Sequence, residues 1–324
     1  MMRLFVLPAC LVAFSLALPA FAADPKAAVT DPAKADADFA VQGEYLSEGD
    51  KKLGAQVIAL GDGKFDLVVY TGGLPGAGWS SGGKKDKAAG ETKEGVTTFT
   101  HDKGTGVLKD GVLTLTAKEN GESLVLKRVE RKSPTLGAKA PEGAVVLFDG
   151  STADNFQNGK ITEDKLLQQG VTSKQKFQDC TLHIEFQTPY QPYARGQGRG
   201  NSGCYLQGRY EVQVLDSFGL EGKDNESGGV YSIKAPDVNM CLPPLAWQTY
   251  DIDYTAAKFD ENNKKTANAK ITVRHNGVVV QENLELPKGT TAAPVKEGPE
   301  PGPLYLQDHG NPVRYRNIWL VEKK

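Results

Sequence analysis

The residues of this chain best suited to chemistry lie in two short runs, Gly208-Arg-Tyr-Glu-Val-Gln-Val-Leu-Asp216 and Leu306-Gln-Asp-His-Gly310. A β-strand sends successive side chains to opposite faces. Over Tyr210–Asp216 this puts Tyr210, Val212 and Val214 on one side and Glu211 and Gln213 on the other. Over Tyr305–His309 it groups Tyr305, Gln307 and His309. A carboxylate, two amides and an imidazole on open sheet faces suit a polar ligand and the transfer of a proton. Glu211 and His309 are both candidates for that transfer, and the sequence does not rank them.

Other residues complete the candidate surround. In Arg195-Gly-Gln-Gly-Arg-Gly200, either Arg195 and Arg199 reach over the sheet to ligand oxygens or the run is a plain rim loop. No helix follows these glycines, so they make no phosphate cradle. Asn201 shapes the strand entry, and Asp216, Tyr231, Gln307 and Glu185 fill out the site. Sandwich-type glycosidases place two carboxylates at alternate strand positions, whereas here those positions hold Glu211, Gln213 and Leu215. A second carboxylate would have to come from Glu185, which shares a face with His183 and Gln187; its alternative role is to partner an arginine. Gly78-Trp-Ser-Ser-Gly82 has the spelling of a nucleophile elbow but not the strand-to-helix setting that elbow needs, and Trp79 is read as part of a surface loop. His275, at an Asn-Gly turn, is read as exposed. No run has metal-ligand spacing, and no cofactor is expected.

The elements that must position these residues are strands. Short alternating runs recur with Gly, Pro and Asn turns, and no helical period is sustained, which indicates an all-β chain. Asn276-Gly277 is its strongest hairpin signal. Residues 39–132 read as a small antiparallel β domain, with a loop over Gly72–Gly90, and 133–143 as a linker. Residues 144–324 read as a sandwich, with the loop Gly289–Gly302 near the candidate face. Met1–Ala22 has the charge, apolar run and small-residue end of an export signal, and residues 23–38 read as a flexible leader. A periplasmic or secreted protein without a membrane span is expected. The net charge of −2 offers nucleic acid no electrostatic footprint. Beyond the leader, Cys180, Cys204 and Cys241 allow one disulfide and a free thiol, or three buried thiols.

Residues 144–324 resemble the 3-keto-disaccharide hydrolase family. The resemblance rests on Val146-Leu-Phe-Asp-Gly150, Leu182-His-Ile-Glu-Phe186, Gly200-Asn-Ser-Gly203, the run Gly208–Asp216, Gly228-Gly-Val-Tyr231, Trp247-Gln-Thr-Tyr-Asp-Ile252, Val273-Arg-His-Asn-Gly-Val278, Leu306-Gln-Asp-His-Gly310 and Arg316-Asn-Ile-Trp319. It implies a concanavalin A/laminin-G-like jelly roll acting on a carbohydrate, with cleavage of glycosides whose glucose is oxidised at carbon 3. It also implies proton abstraction beside the keto group, followed by elimination or net hydrolysis. Two readings stand beside this one. One is a non-catalytic, lectin-like carbohydrate-binding module. The other is a hydrolase of unmodified glucans, which needs a carboxylate facing Glu211.

Overall fold

A computed structural model describes residues 27–323. The export signal expected over Met1–Ala22 lies outside the described residues. From Val29 onward the segment expected as a flexible leader is ordered against the body of the protein. Val29 exchanges backbone hydrogen bonds with Tyr190. Asp31 and Asp36 accept from backbone N–H groups at the starts of the turns Pro32–Lys34 and Ala37–Val41. The Tyr190 hydroxyl donates to Asp36, and Phe39 meets the Tyr190 ring edge-on. Composition suggested freedom here, but two caps and one aromatic contact remove it.

Eight antiparallel strands between Gly43 and Val129 close into a barrel. Closure leaves no unpaired edge. The run expected as a loop over Gly72–Gly90 ends inside the strand Lys85–Lys93. That strand is hard to read because its inward positions include Ala88 and Gly90 in place of large apolar residues. Trp79 is 7% exposed, meets Tyr70 edge-on at 5.0 Å, and joins a core cluster shared with the sandwich. It is a packing residue, contrary to the surface-loop expectation.

From Val145 onward two sheets stack into the expected jelly-roll sandwich. The larger follows the order Val145–Phe148, Arg314–Glu322, Cys180–Gln187, Gln248–Thr255, Ala269–His275 and Val278–Leu286, with Leu167–Gln168 paired to Arg314–Glu322. The smaller runs Phe156–Gln157, Val171–Phe177, Gly302–Leu306, Ser202–Leu206 and Tyr210–Val214. Leu182, Ile184 and Phe186 of the larger sheet meet Cys204, Leu206, Val212 and Val214 of the smaller in the shared core. The alternate residues of both sheets face outward, and this division decides which polar side chains can meet.

Asn276-Gly277 forms the expected two-residue hairpin, with His275 opposite Val278 and φ of 50° and 81° at the turn. His275 itself is fully buried, in contrast to the exposed reading. Its Nε2 lies 3.0 Å from the Gln248 side-chain oxygen, and burial drives its pKa down to about 3. The three cysteines are all buried free thiols. Burial pushes each above its ordinary pKa, Cys180 and Cys241 to about 12.

Candidate active site

The outward face of the strands Ser202–Leu206 and Tyr210–Val214 brings together Gly203, Tyr205, Glu211 and Gln213. Tyr205 sits opposite Glu211 in the ladder and Gly203 opposite Gln213. Gly203 leaves room for the neighbouring acid: a Cβ there would stand 2.3 Å from Glu211 Oε1. The Glu211 side chain therefore lies across the gap at Gly203. Its Oε2 accepts from the Tyr205 hydroxyl at 2.8 Å, and the Gln307 amide donates to that hydroxyl at 3.3 Å. Tyr305, whose ring centre is 5.3 Å from that of Tyr205, extends the same face.

Glu211 is 2% exposed. Burial raises its pKa from 4.5 to about 7, and the Tyr205 hydrogen bond opposes the rise without cancelling it. A carboxyl group poised there serves as base or acid near neutrality. The strand edge is held on both sides of it. The Glu211 N–H donates to Thr290 Oγ1, in the loop Gly289–Gly302, and the Tyr231 N–H donates to the Glu211 carbonyl. Tyr231 thus stands beside the acid and is partly exposed.

Asn201 and Gln213 share this region through the loop residue Gln197. Asn201 Nδ2 donates to the Gln197 carbonyl at 2.7 Å, and Gln213 Nε2 donates to the Gln197 side-chain oxygen at 3.1 Å. Asn201 Oδ1 and Gln213 Oε1 are buried without a hydrogen-bond donor among the described residues. An unpaired buried acceptor costs about 1–3 kcal/mol, which a hydroxyl donor from a ligand would recover.

Five candidate residues fall elsewhere. Arg199 and Asp216 form a buried ion pair, Nε to Oδ2 2.6 Å. Arg199 also donates to the Ala59 carbonyl of the barrel at 3.2 Å. Together they join barrel to sandwich and do not face Glu211. Arg195 likewise reaches the barrel, at the Leu60 carbonyl. Glu185 faces outward on the opposite sheet, which removes it as a second carboxylate. There it accepts from the Gly137 N–H at 2.6 Å, Arg316 Nε at 2.7 Å and Asn317 Nδ2 at 2.8 Å. Burial alone would raise its pKa, but His183, Asn317, Arg316 and the Gly137 N–H outweigh burial and hold it at about 2. It is the arginine partner of the plainer reading.

His309 is exposed and lies past the end of its strand, which stops at Leu306. Asp308 turns to the Gly310 N–H, and among the described residues no hydrogen bond ties His309 to Glu211. The shared face expected over Tyr305–His309 therefore ends at Gln307. Tyr205 and Gly203 were missed as site residues. Asn201, Gly203 and Tyr205 follow the same period of two that singled out Glu211 and Gln213, so the signal was present. Among the described residues no cluster of three His, Cys, Asp or Glu could hold a metal.

Residues 143–321 match the family described as the 3-keto-alpha-glucoside-1,2-lyase-like domain. Among solved structures, a candidate glycosyl hydrolase from Parabacteroides distasonis is 33% identical, with a TM-score of 0.52, over 57% of this chain and 85% of its own. A second candidate glycosyl hydrolase from the same organism is 18% identical, with a TM-score of 0.42, over 56% of this chain and 95% of its own. No curated protein matches the chain significantly.

Proposed function

The chain belongs to the family of 3-keto-alpha-glucoside-1,2-lyase-like domains, and from that premise we propose that it is an exported, carbohydrate-active enzyme cleaving 3-keto-glycosides with Glu211 as the proton-transfer residue. The observation that carries this reading is a single buried carboxyl with its pKa raised to about 7 on a polar sheet face. The carboxylate that the sequence offered as its partner, Glu185, lies on the other sheet. A Glu211–Glu185 pair at glycosidase spacing is therefore not the basis of the chemistry.

A ketone at carbon 3 acidifies the hydrogen on carbon 2. The Glu211 carboxylate takes that proton, and the C–H electrons form the enolate with its charge on the carbon-3 oxygen. Collapse of the enolate restores the carbon-3 carbonyl, makes a double bond between carbons 1 and 2 and breaks the bond from carbon 1 to the aglycone oxygen. The protonated Glu211, or water, returns a proton to the leaving alkoxide. Addition of water across the new double bond gives net hydrolysis. The Tyr205 hydroxyl holds the Glu211 carboxylate, and the second N–H of the Gln307 amide supplies a donor beside the acid, where developing negative charge needs it. Asn201 Oδ1 and Gln213 Oε1 offer acceptors for sugar hydroxyls.

The test compares Glu211→Gln and His309→Gln on a chromogenic 3-keto-glucoside and on its unoxidised parent. Glu211→Gln is expected to lower kcat by roughly 10²–10⁴-fold, and His309→Gln by less than tenfold. Wild-type turnover of the parent glucoside alone would end the 3-keto assignment. Full turnover by Glu211→Gln would end the role of Glu211, and saturable sugar binding without turnover in the wild type would identify a lectin-like module.

A further inference from the structure

The barrel encloses a recess that is separate from Glu211 and lined largely by apolar side chains. It has a volume of about 320 Å³ and opens at one end of the barrel. Leu53, Val69, Ala88, Leu115 and Leu124 line it, and each is only part-buried although all belong to the barrel's apolar cluster. Apolar side chains gathered inside a closed barrel normally fill it, as Tyr45, Phe65, Leu113 and Leu126 do here. Where the wall residues are Ala88, Gly104 and Gly106, the filling stops short of the mouth. The floor is Leu67 and Phe99, both buried. The Phe99 ring lies against Gly90, where a Cβ would stand 2.4 Å from it, and it presents an aromatic surface to the recess.

The mouth is charged. Lys51 pairs with Glu122 and Lys103 with Asp86, while Lys87 turns to Glu221 of the sandwich at 2.6 Å. With Lys87 held by Glu221, the rim itself carries two matched lysine–carboxylate pairs, and His101 beside them lies 2.7 Å from Asp102.

We propose that this recess is a binding site for a compact two-ring aromatic molecule whose hydroxyl or single anionic group rests at the lysine-bearing mouth. Size sets the upper bound: an apolar cavity of about 150 Å³ accepts benzene, and this one is about twice that. Closure of the barrel excludes a peptide added as a strand, because no edge is free to pair. Stacking on Phe99 favours a planar ring, and the ammonium groups of Lys51 and Lys103 at the mouth offer donors to a hydroxyl or an anion, which a cationic substituent cannot accept.

The experiment titrates the full protein with 2-naphthoate, 2-naphthol and 2-naphthylmethylammonium by calorimetry. The first two are expected to bind one per chain with Kd in roughly the 10–100 µM range, the scale typical of ligands this small. The ammonium probe is expected to bind at least fivefold more weakly. Ala88→Trp fills the recess and should weaken naphthoate at least tenfold. Ala89→Trp adds the same ring at the exposed neighbouring position and should change nothing. Val69→Phe, a smaller filling, gives the same test should Ala88→Trp not fold, as judged by circular dichroism. Absence of saturable binding by naphthoate and naphthol would overturn the site. Wild-type affinity in the folded filling variants would do the same, and equal or tighter binding of the ammonium would overturn the ligand class.

Discussion

Replacing Glu211 with Gln tests the physical basis of the site independently of any substrate. Burial raises the Glu211 pKa from 4.5 to about 7. The folded protein therefore holds this proton over a range where the unfolded chain has released it. Below pH 4.5 the group is protonated in both states and the shift has no effect on stability. Between pH 4.5 and 7 the unfolded state gains from ionising while the folded state does not, so stability falls as pH rises. Above pH 7 the loss is complete. At about 1.4 kcal/mol for each pH unit of displacement, it reaches about 3 kcal/mol. Glutamine has nearly the same shape, still accepts from the Tyr205 hydroxyl and does not titrate. Denaturant unfolding of wild type and Glu211→Gln, measured from pH 4.5 to 8, should therefore show the variant gaining about 3 kcal/mol relative to wild type across that interval. The same variant is expected to lose turnover, so stability and activity should move in opposite directions. A stability difference that stays flat from pH 4.5 to 8 would refute the assignment of a buried, proton-retaining Glu211.

Tyr205→Phe removes the one hydrogen bond that holds the Glu211 pKa down. The acidic limb of the kcat/KM profile, expected near pH 7 in the wild type, should move upward, and an unmoved limb would show that Glu211 does not set it. Gly203→Ala puts a methyl group 2.3 Å from Glu211 Oε1 and 2.8 Å from Tyr205 Cε2. Displacing the carboxyl by about 1 Å should cost on the order of 10²-fold in kcat, read by steady-state kinetics, while the naphthoate affinity of the barrel should not change. Arg199→Ala leaves Asp216 buried without its partner and should cost about 3–5 kcal/mol of stability. Chemical denaturation checks this, and an unchanged midpoint would return Arg199 to the list of residues free to serve substrate.

Much of the smaller sheet was legible because strand periodicity is local. The alternation of Tyr210, Val212 and Val214 with Glu211 and Gln213 needs no neighbour to be read, and the split found in the structure follows it. The Asn276-Gly277 hairpin was readable for the same reason: two adjacent residues favour the left-handed backbone the turn requires. His309 shows where this reasoning stops. The pattern continued past Leu306, but the strand did not, and a period of two has no meaning beyond the ladder that enforces it.

What the sequence determined by itself was the all-β class, the faces of individual strands and the motifs that place residues 143–321 in their family. Only the tertiary structure decided which faces meet. His183, Glu185 and Gln187 have the same alternation as Glu211 and Gln213, yet they lie on the outside of the other sheet, beneath the segment that reaches Gly137. Arg199 and Asp216 sit beside the site in sequence but lock the barrel to the sandwich. The closed barrel with its apolar recess was likewise invisible, because closure depends on the first strand, Gly43–Ser47, pairing with the last, Ser123–Val129. Alternation tells a side chain which side of its own strand it occupies. Which sheet that strand joins, and what covers it, is set by contacts between residues far apart in the chain.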